Sequence, residues 1–368
     1  MTASLVLRGG RVLDDGVWVE RDVTVRHGRI TQGGDALDDA SVLDATGCLV
    51  APGLVDLQCN GAVGIDLRNE PERLWDVAAG LTQWGVTAWL PTIVTSTPDV
   101  IVRAQQTLRA GPPDGWCGAE PLGLHLEGPF LSPHAAGAHP VELLRAPSTE
   151  AIATWSRSEG VAMVTLAPEL PGALEVIRRL VAHDVVVSIG HSQATAAQVD
   201  AAIEAGARSV THLFNAMSPL HHREPGVAGT ALVDGRLTVG LIADGIHVDR
   251  RVVGLAGRSL GDRLVLVSDA VALLGTEGVD PAAGVRLPDG TLAGSVLPLV
   301  QAVGNLVRFS GCSPERALAA AGETPARLLD DHDRGSLHAG AHGDLVVLDA
   351  DLGLVATVVG GEIVHRTP

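Results

Sequence analysis

Between Gly53 and Ser268 the chain sets out eight short apolar runs rich in β-branched residues, most of them followed by a segment of helical period, and few architectures accommodate that order. Strands are expected at 54–58, 86–93, 121–127, 161–166, 185–189, 209–211, 238–242 and 264–268. Helices are expected over 71–84, 98–109, 149–157, 173–183 and 194–204, with further helical segments near 250–258 and 298–309. A parallel (β/α)8 barrel is the leading reading, and a doubly wound open sheet is the runner-up. Both ends of the chain look different. Residues 4–50 and the segment after Gly335 break into short β-rich runs with close turn signals, including turns at 349–353 and 360–361. The expected class is therefore α/β: a TIM-like barrel over 51–339, with a small β-sandwich domain built from both termini, 1–50 plus 340–368.

Composition narrows the partners. At 368 residues and 46% apolar content, the chain has ample material for a large core. Its 26 basic and 43 acidic residues give a formal charge of −17, which argues against nucleic acid or an anionic membrane surface as a partner. The N-terminus shows no cationic stretch followed by an apolar core, and no apolar run reaches spanning length, so a cytoplasmic protein is expected. The four cysteines lack metal or disulfide spacing and read as small buried hydrophobes. Lysine is absent altogether. That removes Schiff-base chemistry, a P-loop lysine and a carbamylated lysine bridging two metals, and leaves Arg, His and backbone N–H groups to hold any anion.

Barrel active sites form at the C-terminal ends of the strands. At those ends this chain carries Gln58 and Asn60, Glu127, His191, His212, Asp244 with His247, and Asp269. One such residue would be unremarkable, since polar groups at strand ends commonly satisfy backbone; six strand ends so equipped form a convergent set. Glu127 closes an alternating run (Leu122, Leu124, Leu126) just before Gly128-Pro129, and a loop of small residues then leads to Gly137 and His139. Taken alone, Glu127 could equally cap a helix. With His191 and His212, however, it makes a carboxylate–imidazole set for one divalent metal with a position open for water. Asp269 is suited to take a proton from the attacking water and return it to a leaving group, its alternative being a fourth metal ligand. Arg223, in a Gly/Pro-rich loop beside His221, is the candidate anion contact.

The segments PGLVDLQCNG, GLHLEGPFLSPHAAGAH, SIGHSQAT, THLFNAMSPLHHREPG, LIADGIHVD, LVSDA and LAGS, in this order, resemble the N-acetylglucosamine-6-phosphate deacetylases of the amidohydrolase superfamily. The resemblance covers nearly the whole chain. It implies metal ligands at Glu127, His191 and His212, an acid/base at Asp269 and a carbonyl-polarising group at His139. It further implies contacts to a sugar phosphate from Ala138, Asn215, Ala216, Arg223, Asp244, His247 and the closing loop Ala293, Gly294, Ser295. The metal is expected to be zinc, with iron, manganese or cobalt as alternatives, and the assembly a homodimer in which Arg223 reaches the neighbouring site. Two departures stand out. Where many amidohydrolases carry H-x-H for a second metal, this chain reads Gln58-Cys59-Asn60, which predicts one metal per chain. The segment between Asp269 and Gly294 is short and rich in Ala and Gly, which bears on the lid and on sugar selectivity. The competing functions are N-acetylgalactosamine-6-phosphate or other N-acyl hydrolysis and, from another class, a silent metal-binding scaffold, against which the presence of Asp269 speaks.

Overall fold

The computed structural model describes residues 4–31 and 40–367. Among the described residues, seven short strands open the chain: β1 (Leu5–Arg8), β2 (Arg11–Asp14), β3 (Val17–Glu20), β4 (Val23–Arg26), β5 (Arg29–Thr31), β6 (Ser41–Asp44) and β7 (Leu49–Pro52). Asp15-Gly16 and His27-Gly28, all four at positive φ, join β2 to β3 and β4 to β5 as two-residue hairpin turns. The alternation then changes period, as expected. The barrel segment runs β8 (Leu54–Cys59), β9 (Gly61–Ala62), β10 (Ile65–Asp66), α1 (Leu74–Leu81), β11 (Val86–Val94), α2 (Pro98–Ala110), β12 (Glu120–Pro121), β13 (Leu124–Glu127) and β14 (Val161–Leu166). It continues through α3 (Ala173–Val181), β15 (Val186–Ile189), α4 (Ala196–Glu204), β16 (Ser209–Val210), α5 (Gly226–Val233), β17 (Thr238–Leu241), α6 (Arg250–Leu260) and β18 (Leu264–Leu266). Helices α7 (Leu299–Ser310), α8 (Pro314–Ala321) and α9 (Glu323–Leu328) lead to the closing strands β19 (Leu345–Leu348), β20 (Leu354–Val359) and β21 (Glu362–Arg366).

The eight barrel strands pair in parallel in the order β8-β11-β13-β14-β15-β16-β17-β18. Between β18 and β8 the ring closes at the mouth, beyond the end of β18: Asp269 N–H donates to Gln58 O (2.9 Å) and Asn60 N–H to Ala270 O (2.7 Å). Lower down, the Asp56 carboxylate takes the place of a ladder carbonyl and accepts from Ser268 N–H (3.2 Å). Burial pushes the Asp56 carboxyl up to about 6, and its second oxygen has no hydrogen-bond partner among the described residues.

Helices cover the barrel with one face each. In α3, Ala173, Val176, Ile177 and Leu180 are buried, the i, i+3, i+4, i+7 stripe that the sequence shows. A capping box between Thr195 and Gln198 starts α4. One expected helix is absent: 149–157 is a series of turns closed by i→i−3 bonds such as Ala153 N–H to Glu150 O and Trp155 N–H to Ile152 O. Ser148 Oγ accepts from the N–H groups of Glu150 and Ala151 and so competes with helical pairing. Conversely, α5 was not expected. Seven of its eight residues are buried, so it has no polar face and no helical period to read. Helices α8 and α9 were not expected either, although Ser313-Pro314 is an N-cap signal and Ser313 Oγ accepts from Arg316 N–H.

Both ends of the chain enter one six-stranded sheet, β21-β20-β19-β7-β2-β3, which faces a four-stranded sheet, β5-β4-β1-β6. Leu5, Val12, Val25, Val50, Val347 and Val358 fill the space between them, giving the β-sandwich expected from the termini. Buried Arg334 lies among the carboxylates of Glu120, Asp331 and Asp344, tying the β19 side of the sandwich to the foot of the barrel.

Candidate active site

Glu127 is the last residue of β13, while His191, His212 and Asp269 each follow the end of their strand by two or three residues. The three that overshoot have φ of 47°, 28° and 48°, a left-handed backbone that is costly for side chains of this size and concentrates at functional sites. It turns the three side chains inward over Glu127. All four are nearly inaccessible, between 2% and 8% exposed.

Glu127 Oε1, His191 Nε2 and His212 Nε2 lie at the corners of a triangle whose sides are all 3.1 Å. Protons alone satisfy this triangle poorly. His191 Nδ1 is 2.8 Å from the Ala135 carbonyl, which can only accept, so Nδ1 carries the hydrogen and Nε2 presents a lone pair to a carboxylate and to another imidazole. His212 Nδ1 is buried without a hydrogen-bond partner among the described residues. Three converging acceptors are what a cation fits, and donors on a tetrahedral ion with bonds of about 2.0–2.1 Å sit about 3.3 Å apart. The residues present therefore suit one divalent metal. Burial works against the Glu127 charge, but the adjoining imidazoles of His191 and His212 outweigh it and hold the carboxyl well below its usual range. For His212, burial lowers the pKa, and the bond and charge of Glu127 reverse it to a net rise.

His139 also approaches this cluster, with a donor atom within 4.8 Å of those of Glu127 and His191, but it is set differently. Its Nδ1 accepts from Thr95 N–H (3.3 Å), so the neutral ring carries its proton on Nε2, 3.9 Å from Glu127 Oε2. Burial, reinforced by the neighbouring His191, lowers its pKa to about 3. That makes His139 a neutral N–H donor facing the cavity and leaves the ligand set with the tighter triangle.

The Gln58-Cys59-Asn60 segment forms a bridge. Gln58 Nε2 donates to Glu127 Oε1 (3.2 Å) and to Asp269 Oδ1 (3.1 Å), and Asn60 Nδ2 donates to the same Asp269 oxygen (2.8 Å). Two buried carboxylates are thus joined through one amide. Asp269 is nevertheless pushed up to about 6, first by burial and then by the Glu127 charge.

These groups floor a cavity of about 860 Å³ whose walls include Ala138, Asn215, Ala216, His247, Ala293 and Gly294. Asn215 donates to the carbonyls of His212 and Leu213. Three of the candidate contacts lie elsewhere. Asp244 does not line the cavity; it accepts from His247 Nδ1 (2.6 Å), so that the His247 Nε2 is the atom left for a ligand. Ser295 turns its hydroxyl to the Ser268 carbonyl and accepts from Leu297 N–H. Arg223 is exposed, its guanidinium 2.8 Å from His222 Nε2, outside the cavity of its own chain. Among the lining residues that were not anticipated are the charged pair Asp66 and Arg68. The polar pair Asp66 and Asn69 signals a turn, but nothing in the sequence says that this turn aims Arg68 inward.

The model of the amidohydrolase family matches residues 49–364. The chain belongs to the amidohydrolase family. An N-acetylglucosamine-6-phosphate deacetylase from Bos taurus is 39% identical, over 98% of this chain and 94% of its own length. An N-acetylgalactosamine-6-phosphate deacetylase from Escherichia coli O157:H7 is 36% identical, over 97% of this chain and 98% of its own. Among solved structures, that of a mutant N-acetyl-D-glucosamine-6-phosphate deacetylase from Mycobacterium smegmatis, in complex with N-acetyl-D-glucosamine-6-phosphate, superposes with a TM-score of 0.88 at 34% identity, covering 98% of this chain and 99% of that one. For this amidohydrolase chain the family accounts for a carboxylate–imidazole cluster at the barrel mouth and for the divalent metal it suits.

Proposed function

We propose that this amidohydrolase removes the acetyl group from N-acetyl-D-glucosamine 6-phosphate, giving D-glucosamine 6-phosphate and acetate. The observation that carries the reading is the 3.1 Å triangle of Glu127, His191 and His212, placed beside an amide-held carboxylate in a chain similar to such deacetylases. When bound by those three residues, a divalent cation supplies Lewis acidity toward an acyl carbonyl and toward water; we take it to be zinc, one per chain, with iron, manganese and cobalt compatible with the same donors.

The remaining steps belong to side chains. His139 donates Nε2–H to the acyl oxygen as negative charge develops there. Asp269 takes a proton from the attacking water as its oxygen bonds to the acyl carbon; when the carbon–nitrogen bond breaks, the same proton goes to the departing amine. Gln58 and Asn60 keep the accepting oxygen of Asp269 in place. His247, held through Nδ1 by Asp244, offers Nε2 to the sugar phosphate alongside Asn215 and Ala216. Arg223 serves the site of a second copy in a homodimer, an arrangement its exposed position outside its own cavity supports. The compartment is taken to be the cytoplasm; among the described residues no helix is long and apolar enough to cross a membrane.

The galactosamine isomer is the second reading, supported by the 36% identity to a deacetylase of that substrate. Acetate release from the two sugar phosphates, measured side by side, separates them. A kcat/KM at least tenfold higher for the glucosamine compound is expected, and the reverse order overturns the assignment.

A further inference from the structure

Arg68 is the only arginine lining the cavity above Glu127 among the described residues, and the chain contains no lysine. It sits in the turn after β10, and that turn is pinned. Asp66 Oδ1 accepts the Arg68 backbone N–H (2.9 Å) and Oδ2 accepts Asn69 Nδ2 (3.0 Å), while the Asp66 carbonyl accepts from the N–H groups of Asn69 and Glu70. Both oxygens of the nearest carboxylate are thereby occupied in holding the turn.

The next acidic side chains along the chain are occupied too. Arg73 pairs with Glu70 and Asp76, and Arg103 pairs with Glu72. The Arg68 guanidinium itself has no hydrogen bond or ion pair among the described residues. A guanidinium that lines a concave site and is held by no carboxylate of its own is placed to meet an incoming anion.

Resting on the functional reading above, we propose that Arg68 supplies, from within the same chain, a guanidinium that receives the substrate's phosphate. Its planar fork matches two phosphoryl oxygens at once, which an ammonium does not. Arg223 lies beyond β16 and outside this cavity, so the two arginines address the anion from separate loops and separate chains.

Kinetics of the full-length holoenzyme test this with Arg68→Ala, Arg68→Gln and Arg68→Lys, on N-acetylglucosamine 6-phosphate and on unphosphorylated N-acetylglucosamine. The Ala and Gln variants should raise KM for the phosphorylated sugar about 10-fold or more, the loss of one charge-assisted pair, with kcat nearly unchanged and the neutral sugar unaffected. Arg68→Lys should fall between them and wild type. The KM of the phosphorylated sugar should also become less sensitive to salt. An equal loss on both sugars, or none on the phosphorylated one, overturns the proposal while the deacetylase reading stands. If the wild-type protein releases no acetate, that reading falls, and calorimetry with inorganic phosphate still decides the role of Arg68: binding about 10-fold weaker in Arg68→Ala supports it, and equal binding refutes it.

Discussion

Replacing Gln58 by leucine removes the one side chain that donates to both buried carboxylates, Glu127 and Asp269. Each bond to an ionised group is worth about 1.5–3 kcal/mol. Glu127 keeps its two histidines and Asp269 keeps Asn60 at 2.8 Å, so the low end of that range applies to each. For Asp269 the lost bond favoured the charged form, and about 1.4 kcal/mol equals one pKa unit. Its carboxyl, already raised to about 6 by burial and the Glu127 charge, should rise by about one further unit. A general base acts only when ionised, so the acid limb of kcat/KM against pH should move up by about one unit in Gln58→Leu. Activity near the limb then falls several-fold and recovers in alkali. A bound cation displaces the limbs of both proteins alike, so the difference between them is the readout. Stability should drop as well. At about 2.1 cal/mol/K per residue, unfolding 368 residues carries an entropy of about 0.8 kcal/mol/K, and a loss of about 3 kcal/mol lowers Tm by about 4 °C. An acid limb that stays in place in a folded variant would refute the coupling between Gln58 and Asp269.

Further outcomes follow from the same geometry. Asp269→Asn should retain fold and metal yet lose about 10²- to 10⁴-fold in turnover; activity within a few-fold of wild type removes the base, and metal loss makes Asp269 a ligand. Asp56, buried and raised from 3.8 to about 6, favours the folded state fully only below pH 4, and this contribution is lost as pH rises through 6. That rise of about two units corresponds to about 3 kcal/mol, so the Tm advantage of Asp56→Asn over wild type should grow between pH 5 and pH 8, and a constant difference contradicts the buried charge. If Arg223 serves the site of a second copy in a homodimer, Arg223→Ala chains reassociated with Asp269→Asn chains should regain about a quarter of wild-type activity, because half the dimers would be mixed and each would hold one intact site. No recovery, with mixed dimers verified by native mass spectrometry, rules out a shared site.

The barrel and the cluster of polar residues at its mouth were legible because a parallel barrel gathers the ends of all its strands, so polar residues that end strands far apart in sequence meet at one mouth. Glu127, His191, His212 and Asp269 could be grouped on that ground alone. Directions were harder to read. The left-handed backbone at His191, His212 and Asp269 has no glycine to announce it, and the proton on His139 Nε2 depends on a backbone N–H of Thr95, 44 residues away. Gln58 and Asn60 read as the loss of a second metal position, whereas the structure shows them donating to the carboxylates that remain. Helix α5 escaped because burial on nearly all sides erases the period, and 149–157 misled because its local turns imitate one. Arg68 was invisible for a related reason: only the fold shows that its neighbouring acids are engaged elsewhere.

Titration of a divalent metal into chelator-stripped protein, with acetate release from N-acetylglucosamine 6-phosphate as the signal, addresses the central claim most directly. Activity should rise linearly to one equivalent per chain and then stay flat, and Glu127→Gln should abolish both tight binding and turnover. A rise that continues to two equivalents, or acetate release that survives removal of all metal, would contradict a single metal held by Glu127, His191 and His212.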